Sequence, residues 1–457
     1  MTPSPIPLRD KARSLAVIMG VAGILMLPVL WNGAPLYYWD SVDYIHLPFS
    51  WDLPAYRTMP YGLFTGIARP FGTLWAVIVV QALLVAYTLH ETLAVFAPGA
   101  HRRLLLLVTP LLLLFSGLPW QAGQIMPDAF SGLVVLCIPT LAFSGGVLSL
   151  PRRLGIAAVL ALATTLHTSH IAVGAGLLIM LFVGALWFRK RWPALRPRLL
   201  LPLVAFFTGI LSIAAVHWVT VGQPFVTQPS MVLWLGRLVQ DGIAQRFLDD
   251  NCKRGDEYKL CKVSGKLPKT ANEFLWDYGG APLQIYGSWQ KMRPEARRIV
   301  QKSFRDYPWL HAEAAAKLSV EQLVRFKTGD GLQNSMKWLL EDTIKKYYPA
   351  DLDAWLASQQ MSKDGIDFKT INKLQVPLLA LAQLLVIVMA VVCYRRRQHL
   401  GFILAAITVI ALLGNAFVCG ALSNPNDRYQ SRLAWLSLVV LAVGVSGVRR
   451  KPETRDG

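Results

Sequence analysis

"RRRQHLGFILAAITVIALLGNAFVCGALSNPNDRYQSRLAWL", residues 395–436, contains the pattern from which the whole chain is built. Three arginines come first, then an apolar stretch at 400–421 without a single Asp, Glu, Lys or Arg. A polar loop follows, and its Arg428 and Arg432 lead straight into another apolar stretch. About 20 predominantly apolar residues cross a bilayer as a helix. Arginines before such a run mark a cytoplasmic flank, because short cytoplasmic loops carry the excess of Lys and Arg. Arg428 and Arg432, on the far side of the run, go against that bias, so something other than topology holds them there.

The same alternation extends through the chain. Apolar segments fall at 14–31, 72–96, 103–119, 128–149, 154–168, 170–188, 200–221, 375–394, 400–421 and 432–448. The basic clusters are Arg9/Lys11/Arg13, His101/Arg102/Arg103, Arg152/Arg153, Arg189-Lys190-Arg191 with Arg196 and Arg198, Arg395-Arg396-Arg397, and Arg449-Arg450-Lys451. Alternating through ten segments puts every cluster on one side, and one helix more or fewer would scatter them. The expectation is an all-α polytopic membrane protein with about ten transmembrane helices (9–11), the split within 154–188 being the least defined. Both termini are cytoplasmic, the membrane is a bacterial-type inner membrane, and the site faces the periplasm. Arg9, Lys11 and Arg13 precede an apolar stretch with no A-x-A cleavage pattern, which predicts an uncleaved first helix.

Composition agrees. Hydrophobic residues make up 54% and charged residues 16%, with mean hydropathy +0.41, whereas a soluble domain carries about 25% charged residues. The net charge of +19 resides in loops between apolar runs, which is a topology signal and excludes nucleic acid as the partner.

Three modules follow: 1–221 with a first outer loop at 32–71, a mostly helical extracytoplasmic domain at 222–374 inserted before the last three helices, and 375–457. The insert's segment 293–331 has apolar residues at helical spacing, broken at Tyr307-Pro308 and ended by Gly329. Cys252 and Cys261 are the two of five cysteines outside apolar runs. On an oxidising side they are expected to pair, two free thiols being the alternative.

The outer loops hold a set of polar residues at helix ends. In "YYWDSVDYIHLP" (37–48), Asp40 and Asp43 share a helical face, as do Asp40 and Tyr44. Such a pair suits a general base beside an orienting carboxylate, or a metal site; the alternative is an N-cap within an interfacial aromatic belt. Arg57, in "PAYRTMPYG" (54–62), can pair with a carboxylate, anchor to headgroups or bind phosphate. "WQAGQIMPD" (120–128) supplies Gln124 and Asp128. "HTSH" supplies His167 and His170 at a helix break, able to donate to phosphate oxygens but lacking the third ligand of a zinc site. In "NPNDRYQSRLAWL" (424–436), Arg428 and Arg432 are four apart and make a fork suited to phosphate, with Tyr429 beside them. The alternative there is an ion pair from Asp427 to either arginine. No G-x-S-x-G, Walker A, G-x-G-x-x-G or H-E-x-x-H motif is present, so nucleotide hydrolysis is not the chemistry.

This arrangement resembles the GT-C superfamily of integral membrane glycosyltransferases, which use polyprenyl-phosphate-linked sugars. "WDSVDY" is similar to the D-S-x-x-Y form of their first-loop acidic motif, with Asp40 and Tyr44 at the matching positions. "RTMPYG" resembles the stretch that follows it, and "RDYPWLHAEAAAKLSVEQLVRF" (305–326) resembles a helical segment before their later helices. No adjacent acidic pair occurs in the first outer loop, 32–71, and no W-W-D occurs in the sequence. The resemblance implies sugar transfer from a lipid-linked donor to an extracytoplasmic glycan, lipid or protein, with inversion. It implies Asp40 or Asp43 as base, Arg428, Arg432, Arg57, His167 and His170 toward the donor phosphate, and Tyr44, Gln124, Asp128 and Tyr429 toward substrate. No cofactor is firmly implied; a divalent metal, if used, would take Asp40 and Asp43. The competing readings are a transporter or flippase of a lipid-linked glycan, or a polymerase, ligase or acyltransferase.

Overall fold

In the computed structural model the described residues are 8–54, 56–191, 196–227, 230–254, 258–277 and 281–448. They form an all-helical protein in which the one β contact is a bridge between Leu36 and Gln124. Among the described residues, six helices are long and apolar enough to cross a membrane: Trp75–Phe96, Thr168–Trp187, Leu200–Val221, Phe368–Arg395, His399–Leu422 and Asp427–Gly447. The other four expected segments are carried by shorter or interrupted helices. Leu8–Leu25 stops before Met26 and resumes as Leu27–Asn32, His101–Phe115 and Ala129–Phe143 have 15 residues each, and Leu150–Leu166 has 17. Fifteen residues rise only about 22 Å, short of a hydrocarbon core of about 30 Å.

Ion pairs and hydrogen bonds sort the helix ends into two groups. At one end Arg102 pairs with Asp10 at 3.3 Å and Arg152 with Glu91 at 2.8 Å, and the Arg198 N–H donates to the Ala142 carbonyl. At the other end Gln375 donates to the Leu114 and Ser116 carbonyls, and Gln121 donates to Ser431. The expected break within 154–188 falls at His167, between Leu150–Leu166 and the helix that starts at Thr168.

The segment 222–374 divides between two hydrophobic cores. Residues 232–300 build a core of their own around Phe247, Phe274, Met292 and Ile299, and within this part the Cys252–Cys261 disulfide is formed. Residues 332–366 instead join the main core through Leu340, Ile344, Tyr348 and Trp355, where Tyr347 stacks on Phe49 and Trp355 packs edge-on to Tyr37. Between them Trp289–Asp306 ends at Tyr307, Pro308 opens the next helix as expected, and that helix ends at Val324, five residues ahead of Gly329. The Pro308–Val324 helix lies against His399–Leu422, so close that a Cβ on Gly420 would collide with the Leu318 carbonyl. Buried Arg237 ties the second core to the same helix end, with Asp241 at 2.6 Å and the Gly420 and Ser423 carbonyls as acceptors.

Candidate functional site

Asp40 is the residue before the helix Ser41–Ser50, and Asp43 lies in its first turn. The Asp40 side chain caps no backbone N–H, which removes the N-cap alternative. Both carboxylates instead hold one guanidinium: Arg57 Nη2 donates to Asp40 Oδ1 at 2.5 Å, and its Nε donates to Asp43 Oδ2 at 2.7 Å. Arg57 is placed by the helix Met59–Thr65, whose start is fixed by Pro60 and by a bond from the Met59 N–H to His217. Its guanidinium also faces the rings of Tyr44 and Tyr56 at 5.5 and 5.1 Å.

These contacts separate the two acids. Burial acts to raise the Asp40 carboxyl, but Arg57 and Arg428 outweigh it, so the group titrates below the ordinary carboxylate range. Burial prevails at Asp43, whose carboxyl is raised despite Arg57. Among the described residues no group of three or more His, Cys, Asp or Glu side chains is placed to hold a metal ion. Arg57 bridges both carboxylates, so in this arrangement a guanidinium stands between Asp40 and Asp43, where a shared divalent cation would have to bind.

The second half of the site comes from the last apolar helix and is brought against the first. Arg428 Nη1 lies 3.9 Å from Asp40 Oδ2 and 3.6 Å from Asp128 Oδ2, and Arg432 Nη1 lies 3.5 Å from Asp128 Oδ1. The Asn426 side chain caps this helix by accepting the Arg428 N–H. The helical spacing of four does set both arginines on one face, as the sequence indicates. Asp427 pairs with neither: it accepts the Lys327 N–H and stands 3.9 Å from Arg325 Nε. Arg432 Nη2 is engaged by Ser169, Asn415 and Cys419. Tyr429 lies under both guanidiniums at 5.2 Å.

A small polar recess opens beside Arg428, lined by Trp120, Gln121, Gln124, Thr328 and Asp330 among others. Six buried polar atoms here make no hydrogen bond to another described residue: Gln121 Oε1, Gln124 Nε2, Asp128 Oδ2, Arg428 Nε and Nη1, and Arg432 Nε. Folded proteins leave few buried polar groups without a partner, and groups clustered like this are met by ordered water or by a polar ligand.

The remaining expected residues divide. Tyr44 packs edge-on to Tyr61 within the first loop, 4.7 Å between ring centres. His167 bonds Ser169, which in turn accepts from Arg432, so it touches the fork at one remove. His170 engages both ring nitrogens with Ser131 and the Ala163 carbonyl, leaving none for a phosphate oxygen. Arg57 is committed to the acids rather than to the fork.

Sequence reasoning missed Tyr38, whose ring lies 4.2 Å from the Arg428 guanidinium carbon, and Asp330, which accepts the Arg428 N–H at 3.2 Å. Asp330 sits between Gly329 and Gly331, both with positive φ (88° and 75°). A Cβ on Gly329 would strike the Phe368 ring, and one on Gly331 the Tyr38 ring. An acid between two glycines after a helix is the signal that could have flagged it.

No protein-family model, curated protein or solved structure matches this chain.

Proposed function

We propose that this protein is a GT-C-type membrane glycosyltransferase, moving a sugar from a polyprenyl-phosphate-linked donor to an extracytoplasmic acceptor. The observation that supports this most is one cluster containing a guanidinium-flanked carboxylate, Asp40, and a buried two-arginine fork with unpartnered N–H donors. Base and anion site then stand on either side of the place where a sugar–phosphate bond breaks.

In this reading Asp40 takes the proton of an acceptor hydroxyl as the hydroxyl oxygen attacks the anomeric carbon. Asp40 rather than Asp43 is the base, because its free edge faces the arginines. The carbon–oxygen bond to phosphate breaks, and the electron pair stays on the phosphate oxygen. Arg428 and Arg432 stabilise that charge, the kind of preorganised contribution that is often the largest in catalysis. One displacement inverts the sugar. The products are the glycoside, the lipid phosphate and a proton on Asp40.

The finer topology belongs to the same proposal. Ten crossings, the shorter helices included, put all basic clusters on the cytoplasmic side with both termini. They put Asp40, Arg57, Asp128, Arg428 and the segment 222–374 on the periplasmic side of a bacterial-type inner membrane. The lipid tail of the donor lies between apolar helices, and the segment 222–374 covers the site. The test is transfer of labelled sugar from polyprenyl-phosphate donors by the purified protein. Wild type transfers and Arg428→Ala does not; equal transfer by both removes the fork from the chemistry.

A further inference from the structure

The fork carries its own counter-charge. Asp128 stands 3.5–3.6 Å from both guanidiniums, longer than the 2.7–2.9 Å of a charge-assisted hydrogen bond. It is 2% exposed, Arg432 1% and Arg428 8%, so solvent does little to screen these charges. Its side chain does not cap the helix Ala129–Phe143 that it precedes, and its Oδ2 makes no hydrogen bond. A carboxylate placed this way bridges the two arginines by charge rather than by short hydrogen bonds, and does not support the helix. What it does is lower their charge: from Asp43 to Arg432 three carboxylates alternate with three guanidiniums, so the cluster is balanced, with three N–H donors still without a partner among the described residues.

We propose that Asp128 is a specificity residue that matches the fork to a singly charged phosphodiester and disfavours a pyrophosphate. The inference rests on the reading of the fork as the donor phosphate site. A sugar joined to a lipid through one phosphate carries one negative charge, and one joined through pyrophosphate carries two. The first adds one negative charge to this balanced cluster. The second brings an extra negative charge into a buried site that already holds Asp128, with Asp40 3.9 Å and Asp128 3.6 Å from Arg428 and Asp330 bonded to its N–H. Like charges set together in a desolvated site repel one another and weaken binding. Removing the Asp128 charge lifts that penalty and leaves both arginines in place.

The experiment uses the full chain in detergent with two probes, farnesyl methyl phosphate as the monoanionic diester and farnesyl methyl pyrophosphate, esterified at both ends, as the dianion. Kd for each is measured for wild type and for Asp128→Asn, which keeps the side-chain shape. Wild type prefers the diester, and Asp128→Asn shifts the ratio toward pyrophosphate by about tenfold or more. A thermal melt on each sample checks folding, and the wild-type ratio is a test by itself should the variant not fold. A wild-type preference for pyrophosphate, or a ratio unchanged in a folded Asp128→Asn, overturns the role of Asp128 while leaving the fork as an anion site. Failure of both probes to bind wild type overturns the anion site as well.

Discussion

Asp40 and Arg428 lie near opposite ends of the chain, yet Asp40 Oδ2 stands 3.9 Å from Arg428 Nη1. The contact closes a chain of charges that runs from Asp43 through Arg57, Asp40, Arg428 and Asp128 to Arg432. Signs alternate along it, so each group is held by neighbours of opposite charge.

Arg57 therefore governs how the site responds to pH. The depressed Asp40 carboxyl contributes stability that is present above the unfolded carboxylate value and lost as pH falls through its folded value. Asp43, raised by burial, has the opposite sign: its contribution is present at low pH and lost as pH rises through its folded value. In Arg57→Gln the Asp40 carboxyl keeps its burial and loses its nearest cation. The acid limb of kcat/KM is expected to move up by about one pH unit or more, read from transfer rates across pH 4–7. An unmoved limb would detach Arg57 from the base.

The turn that carries Asp330 depends on glycine. Gly331→Ala places a Cβ against Tyr38 on a backbone with φ of 75°, and strain of this kind costs roughly 1–3 kcal/mol. A lower melting temperature and weaker lipid-phosphate binding are expected. Asp330→Asn keeps the glycines and is expected to melt like wild type. Equal melting of both variants would show that the turn is not under this constraint.

The disulfide acts at a distance from the charges. Cys252 and Cys261 are nine residues apart, and closing so short a loop stabilises by about 2–3 kcal/mol in the chain-entropy model. Cys252→Ser with Cys261→Ser is expected to lower the thermal stability of the 232–300 core while lipid-phosphate binding persists. Loss of that binding would mean that the second core organises the site.

Legibility from sequence follows the physics of each signal. Apolar runs and clustered arginines report helices and their ends directly, so the all-helical membrane class, the break at His167 and the helical pair Arg428/Arg432 are visible in the letters. Crossing number is less so: Ala129–Phe143 stops six residues before the end of the apolar run 128–149, and His101–Phe115 four residues before the end of 103–119, because glycine, proline and polar residues end a helix inside a hydrophobic stretch. Tertiary partners were the least accessible. Asp427 was the natural ion-pair candidate by proximity, yet its acceptor role goes to Lys327, a hundred residues away, and Asp128 takes the arginines. Ser169, Asn415 and Cys419 hold Arg432, and as isolated polar or small residues in or beside apolar runs they carry no period that marks them. Asp330 is announced only by its two glycines.

The most direct test of the account is steady-state transfer of labelled sugar from a polyprenyl-phosphate donor by Asp40→Asn, with lipid-phosphate Kd measured on the same samples. A general base contributes about 10²–10⁴ in rate, so kcat is predicted to fall by that factor while the variant remains folded and still binds lipid phosphate. Wild-type kcat in a folded Asp40→Asn would contradict the account.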